Sequence, residues 1–133
     1  MKQAGAARHL YLYTLVAVGA ALGGMLRFAV SDLWLGAAEL PWGTLVVNVA
    51  GSLLIGFYAS LPTDRPWTAS GPHLFVTAGF CGGFTTFSIF SLEILELIND
   101  GQPLVALLWM LLSLLVWLGG AALGHLAGRQ LST

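Results

Sequence analysis

The sequence alternates between four long apolar stretches and short polar connections. Each apolar stretch is close to or above the roughly 20 residues that an α-helix needs to cross a bilayer. Proline and glycine mark the connections at residues 62–66, 70–72 and 99–103. The pattern predicts an all-α membrane protein, a single four-helix transmembrane domain over residues 1–133, with spans at about 10–30, 42–61, 73–98 and 103–127.

Composition supports a bilayer environment. The chain is 57% hydrophobic and 8% charged, whereas a soluble domain carries about 25% charged residues. Its net charge of -1 argues against a nucleic-acid partner, which calls for a basic patch. Cys81 is the single cysteine, so neither an intrachain disulfide nor a cysteine-based metal cluster is expected. No nucleophile with a neighbouring base stands out, and we expect no enzyme.

The basic residues favour one orientation. Four spans put both termini on the same side, where Lys2, Arg8, Arg65 and Arg129 would lie, with Arg27 near the other side. The positive-inside rule then predicts cytoplasmic termini.

The third span contains two adjacent glycines, Gly82 and Gly83, before a cluster of hydroxyl and phenyl side chains. Such a mixture does not suit a lipid-facing helix. We expect the span to be broken near its centre, because an irregular backbone at membrane depth must be buried in protein or line a polar cavity. Two interpretations remain open: a kink that only tilts the helix, or freed carbonyl groups that hold a cation such as sodium, with help from Thr85.

The second span carries an amide in mid-membrane, Asn48, with Thr44 four residues earlier on the same helix face. An amide at that depth is costly unless it is hydrogen-bonded. The position alone favours interhelical packing and pore lining equally.

Aromatic and hydroxyl groups recur on one face of the third span. Phe87 and Phe90 are three residues apart, and Thr86 precedes Phe90 by four. The positive edge of a phenyl ring attracts an anion without offering a full charge. The alternative is a plain aromatic packing pair.

The fourth span has a hydroxyl, Ser113, between Trp109 and Trp117 at four-residue spacing. Hydroxyl and indole groups are donors that suit an anion. Alternatively, the serine bonds its own backbone and the tryptophans mark the membrane interface.

Charged groups lie at the edges of the spans. Arg27 either extends to the interface or attracts anions to a vestibule. Glu93 and Glu96 are expected to be interfacial, and Glu93 best suits proton coupling.

Small residues recur at four-residue intervals and predict close helix contacts in lipid. The pairs are Gly19 with Gly23, Ser52 with Gly56, Gly120 with Gly124, and Gly124 with Gly128.

Three segments together resemble the Fluc (CrcB) family of fluoride channels. They are Gly-Gly-Met-Leu-Arg at 23–27, Pro-Trp-Gly-Thr-Leu-Val-Val-Asn at 41–48, and Gly-Phe-Cys-Gly-Gly-Phe-Thr-Thr-Phe-Ser-Ile-Phe-Ser at 79–91. The sequence departs from the family pattern at Ile89, where a threonine is frequent, and at Trp109, where a tyrosine is frequent.

The resemblance implies an antiparallel dual-topology homodimer with two fluoride pathways and a central sodium ion. Sodium would be held by the backbone carbonyls of Gly82 and Thr85, and Arg27 would lie in a vestibule. The fluoride pathway would be lined by Asn48, Thr44, Thr86, Phe87, Phe90, Trp109 and Ser113.

The expected function is passive export of cytoplasmic fluoride across the inner membrane of a prokaryote, which would give fluoride resistance. A paired homologous subunit could replace the second copy. The alternatives are a small multidrug-type proton-coupled exchanger, which needs a carboxylate in the first span, and a non-transporting assembly subunit. Residues 10–30 contain no Asp or Glu, which weighs against the exchanger.

Overall fold

A computed structural model describes residues 2–33, 40–62 and 66–131. Over these residues the regular structure is entirely helical. Four helical stretches are long and apolar enough to cross a membrane: Ala6–Leu33, Trp42–Ala59, Ser70–Asn99 and Pro103–Gln130. The predicted all-α fold with four spans and a break in the third is therefore confirmed. Arg65 lies outside the described residues.

The first, second and fourth spans are single helices, and the third is divided. We number the helices α1 (Lys2–Leu33), α2 (Trp42–Ala59), α3 (70–84), α4 (Ser88–Asn99) and α5 (Pro103–Gln130), with a 3₁₀ turn at Pro66–Thr68 before α3. Pro103 occupies the first turn of α5, where its missing N–H costs nothing. Gly101, with φ of 77°, makes the left-handed turn between α4 and α5.

Helix α3 is irregular along its length. It begins as an α-helical turn at Ser70–Leu74, continues as a π-helix at Phe75–Cys81, and ends with an α-helical turn at Gly82–Phe84. Thr85 then takes an extended conformation, with φ of -87° and ψ of 157°. The helix therefore continues through the two adjacent glycines and ends one residue later, at Phe84.

Glycines allow the helix backbones to approach closely. On α1, a Cβ atom at Gly19 would lie 2.6 Å from the carbonyl oxygen of Phe75. On α5, a Cβ atom at Gly124 would lie 2.9 Å from the backbone nitrogen of Phe57 on α2. Both distances are too short for a side chain, which confirms the close contacts predicted from the small-residue spacing.

An apolar cluster joins α4 to α5. Its buried members are Phe90, Leu97, Ala106 and Trp109. Because Phe90 follows the break by three residues, this cluster fixes the position of α4 beyond it.

Candidate functional site

The amide of Asn48 closes a pair of hydrogen bonds across the break. Its Nδ2 donates to the carbonyl oxygen of Thr86 over 2.8 Å, and its Oδ1 accepts from the backbone N–H of Thr86 over 2.8 Å. Asn48 is only 5% exposed. The amide therefore holds α2 to the interrupted backbone, which is one of the two roles that the sequence favoured equally. One further N–H of the same amide takes no part in this pair, so pore lining remains a prediction.

The break redirects two backbone donors. In a continuous helix the N–H of Thr86 would bond the carbonyl of Gly82, and the N–H of Ile89 would bond that of Thr85. Here Thr86 donates to Asn48, and Ile89 donates to Thr86 Oγ1 over 3.2 Å. The carbonyl groups of Gly82 and Thr85 thus lose their helical donors.

These two carbonyl groups are the ones that the sequence predicts for sodium. Carbonyl oxygen is a hard ligand of the kind that such cations take at unwound helices. A Cβ atom built at Gly82 would have no described atom within 4 Å, so this side of the backbone is open. The residues fit the predicted ion, and sodium binding itself stays a prediction.

The carbonyl of the next residue, Gly83, has a different partner. It accepts a hydrogen bond from Nε of Arg27 on α1 over 3.2 Å. Arg27 is half-buried. The guanidinium is thereby anchored to the end of α3, and its role in a vestibule stays a prediction.

Phe87 and Phe90 lie side by side directly after the break, with ring centroids 5.7 Å apart and an angle of 53° between the rings. Their environments differ, because Phe87 is 66% exposed and Phe90 is 3% exposed. Phe90 also meets the indole of Trp117 edge to face, with centroids 4.7 Å apart. Packing thus accounts for Phe90, and an anion contact at either ring edge stays a prediction.

Thr44 joins α2 to α4 one turn before Asn48. Its hydroxyl donates to Oε1 of Glu93 over 2.6 Å. Glu93 follows Phe90 by three residues and shares its inward face. Glu93 is therefore half-buried against α2, whereas Glu96 is exposed, and the interfacial position expected of both stays a prediction.

Helix α5 contributes a column of polar groups. Trp109 is buried and packs edge to face on Trp42, with centroids 4.9 Å apart. Ser113 is fully buried, and its Oγ has no hydrogen-bond partner, so the alternative that it bonds its own backbone is wrong. Within the described part of the chain, the buried side-chain polar atoms without a partner are Glu93 Oε2, Ser113 Oγ and Trp117 Nε1.

Trp117 lies at the site but is not among the residues that the sequence predicts for the fluoride pathway. Its four-residue spacing from Ser113 places both residues on one helix face, but spacing does not show whether the indole N–H is hydrogen-bonded. Trp117 is the α5 residue that lines a cavity of about 440 Å³ between α2, α3 and the break. The lining residues are all uncharged: Asn48, Gly51, Ser52, Ile55, Thr77, Cys81, Gly82, Thr85, Thr86, Phe87 and Trp117.

Four membrane-length helical spans, the third of them interrupted beside an uncharged cavity, define a small multi-pass membrane protein. Residues 14–125 match the family described as CrcB-like protein, Camphor Resistance (CrcB). The chain belongs to the CrcB family.

Named relatives cover nearly the whole chain. A protein of Rhodopseudomonas palustris named Fluoride-specific ion channel FluC 1 is 44% identical over 125 residues, which are 91% of this chain and 89% of the relative. Fluoride-specific ion channel FluC of Opitutus terrae is 45% identical over 128 residues, covering 93% and 96%. The protein of that name from Rhodospirillum rubrum is 45% identical over 117 residues, covering 85% and 91%.

Proposed function

We propose that this chain forms a fluoride-specific channel that lets fluoride leave the cytoplasm down its electrochemical gradient. The observation that carries the proposal is the identity of 44% to the Rhodopseudomonas palustris channel over 91% of this chain. The interrupted third span, where an uncharged cavity lies beside two phenyl rings, supplies a site for such a pathway.

The chemistry of the cavity suits a small, strongly hydrated anion. Moving an ion of carboxylate size into a medium of low dielectric constant costs on the order of 20 kcal/mol in the idealised case. A channel must offset most of this cost without binding so tightly that the ion stays. Amide, hydroxyl and phenyl-edge donors meet this requirement because none carries a full charge. Asn48, Thr86 and Phe87 supply them in the lining of the cavity, and Phe90 lies beside Phe87.

A sodium ion at the break is part of the proposal. The carbonyl oxygens of Gly82 and Thr85 would hold it, since their usual N–H donors bond to Asn48 and to Thr86 Oγ1. Its positive charge would lie next to the cavity and make the cavity more favourable to an anion.

An antiparallel homodimer is also proposed, with a paired homologous subunit as the less favoured arrangement. The support is the exposed ring of Phe87 and the open side of Gly82, which both line the cavity at the break. A second copy placed there would cover an aromatic side chain of the pathway. The dimer would lie in the lipid of a prokaryotic inner membrane, confer fluoride resistance and catalyse no reaction.

Fluoride efflux from liposomes tests the function. Purified protein is reconstituted in vesicles loaded with potassium fluoride, valinomycin is added to balance charge, and release is followed with a fluoride electrode. We expect rapid efflux without an imposed proton gradient, and none from protein-free vesicles. Efflux that requires the gradient would favour the exchanger, and no efflux would favour an assembly subunit.

A matched pair of phenylalanine variants tests the site. Phe87 and Phe28 are both exposed, but Phe28 lies on α1 and does not line the cavity at the break. We expect Phe87→Ile to suppress efflux and Phe28→Ile to leave it unchanged, with both proteins eluting as dimers. Equal efflux from the two variants would contradict a phenyl-edge pathway.

A further inference from the structure

Gly51 on α2 and Thr85 in the break fit closely together. Gly51 is buried and follows Asn48 by three residues, which places both on one helix face. A Cβ atom at Gly51 would overlap the Cγ2 methyl group of Thr85. The methyl group therefore occupies the space that a side chain at position 51 would fill.

The side chain of Thr85 is held in place and cannot turn away from such an overlap without loss. Its hydroxyl donates to the carbonyl oxygen of Cys81 over 2.8 Å, and its backbone N–H donates to the same oxygen over 3.0 Å. A β-branched side chain is stiff at χ1, and turning it would break the hydroxyl bond. A side chain at Gly51 would therefore either break this bond or displace the backbone of Thr85.

The backbone of Thr85 sets the direction of its carbonyl group. Its ψ of 157° turns the carbonyl away from the direction that it has in an α-helix, where ψ is about -42°. Asn48 holds the next residue, Thr86, through both of its backbone groups. One face of α2 thus fixes two consecutive residues of the break, Thr86 by hydrogen bonds and Thr85 by close packing at Gly51.

Resting on the proposed function, we propose that Gly51 is a positioning residue for the sodium site. By receiving the methyl group of Thr85, it lets the Thr85 carbonyl take the direction in which it would hold sodium together with the carbonyl of Gly82. Replacing a residue that orients the ligands of a metal typically lowers the affinity for the metal by roughly 10- to 100-fold.

Gly51→Ala tests this role through sodium binding rather than transport. Alanine is the better helix former, so a loss comes from the contact with Thr85 and not from α2 itself. Sodium that binds the folded protein stabilises it by an amount set by its concentration relative to its dissociation constant. We follow unfolding by SDS in mixed micelles while sodium chloride replaces N-methylglucamine chloride at constant ionic strength. We expect Gly51→Ala to need about tenfold more sodium than the wild type for the same stabilisation.

Thr85→Ser provides the rescue. Serine keeps the hydroxyl but lacks Cγ2, and a Cβ atom at Gly51 would then lie 3.5 Å from Cδ1 of Phe84 and 3.7 Å from Cβ of residue 85, which are ordinary van der Waals distances. We expect Gly51→Ala combined with Thr85→Ser to need no more sodium than Thr85→Ser alone. This comparison decides the inference even if Gly51→Ala alone does not fold, and a double variant without recovery overturns it.

Gly56→Ala is the matched control on the same helix. A Cβ atom at Gly56 would lie 2.9 Å from the carbonyl carbon of Ala121 on α5, and Gly56 does not line the cavity at the break. We expect lower stability with the sodium requirement of the wild type, and no recovery when Thr85→Ser is added.

Two measurements on the same proteins separate the inference from the proposed function. A wild-type sodium requirement in Gly51→Ala, or a wild-type protein that sodium does not stabilise, overturns the role of Gly51 even if the protein conducts fluoride. A wild-type protein that does not conduct fluoride overturns the proposed function, and the sodium titration still decides the role of Gly51.

Discussion

The third and fourth spans both contain two adjacent glycines, yet only the third is interrupted. Gly119 and Gly120 lie within the continuous helix α5, and Gly82 and Gly83 lie in the last helical turn before the break. In each pair one glycine faces a neighbouring backbone and the other faces open space. Adjacent glycines therefore permit close packing in both spans and do not by themselves end a helix.

The two spans differ in the groups that accept hydrogen bonds from their backbone N–H groups. In the third span the N–H of Thr86 goes to Asn48 Oδ1 and that of Ile89 goes to Thr86 Oγ1. The corresponding polar side chain of α5, Ser113, has no partner and takes no donor from the backbone. A side-chain acceptor at the right place interrupts a membrane helix, because the N–H groups that leave the helical pattern keep an acceptor at membrane depth.

The largest expected effect comes from removing the acceptor on α2. Asn48→Leu keeps the approximate size of the side chain but leaves both the N–H and the carbonyl of Thr86 without their partner. Two part-buried groups at roughly 1 to 3 kcal/mol each predict a loss of about 3 kcal/mol in the free energy of unfolding. The measurement is unfolding by SDS in mixed micelles, followed by circular dichroism.

Ser113→Ala is the control for this variant on the fourth span. It also removes a buried polar group in mid-membrane, but one without a partner in the structure. We therefore expect a stability equal to or above that of the wild type in fluoride-free buffer. Equal losses in the two variants would mean that the pairing of Asn48 with Thr86 does not hold the break.

The same contrast explains what the sequence could predict. Span number and the presence of a break follow from hydropathy and from the mixture of glycine, hydroxyl and phenyl groups, which are local properties. Asn48 and Thr86 are 38 residues apart, so the pairing that diverts the Thr86 N–H depends on how α2 packs against the third span. For that reason the sequence favoured packing and pore lining equally for Asn48.

Trp117 and Glu93 are two further residues whose hydrogen bonding the sequence could not predict, because it depends on contacts between helices. Spacing places Trp117 on the face of Ser113, but whether its indole N–H finds an acceptor depends on how α5 packs against the other helices. Glu93 was expected at the membrane interface because carboxylates are costly in lipid. In the structure the hydroxyl of Thr44, on another helix, donates a hydrogen bond to this half-buried carboxylate.

An intermediate effect is expected from the glycines that face a backbone. At Gly83 an added Cβ atom would lie 2.8 Å from the Cα atom of Ala20, which cannot move without shifting α1. Gly83→Ala should therefore lower the free energy of unfolding by about 1 to 3 kcal/mol, as overpacking does in other cores. SDS unfolding of the variant and the wild type measures the difference.

Gly119→Ala is the matched control for close packing. A Cβ atom at Gly119 would have no described atom within 4 Å, and alanine is the better helix former by about 1 kcal/mol. We expect unchanged or higher stability. If Gly83→Ala proves as stable as Gly119→Ala, α1 and α3 do not approach as closely as the structure has them.

The smallest expected effect concerns the first turn of α4. Thr86 Oγ1 accepts the N–H of Ile89 in the manner of a helix N-cap, and Thr86→Val keeps the shape of the side chain while removing this acceptor. Losing a cap costs about 1 kcal/mol, and amide hydrogen exchange at Ile89 should become correspondingly faster, whereas Thr86→Ser should keep the wild-type rate. Equal exchange at Ile89 in the valine and serine variants would show that the hydroxyl does not divert this donor. In that case the amide of Asn48 would be the one side-chain acceptor needed to interrupt the third span.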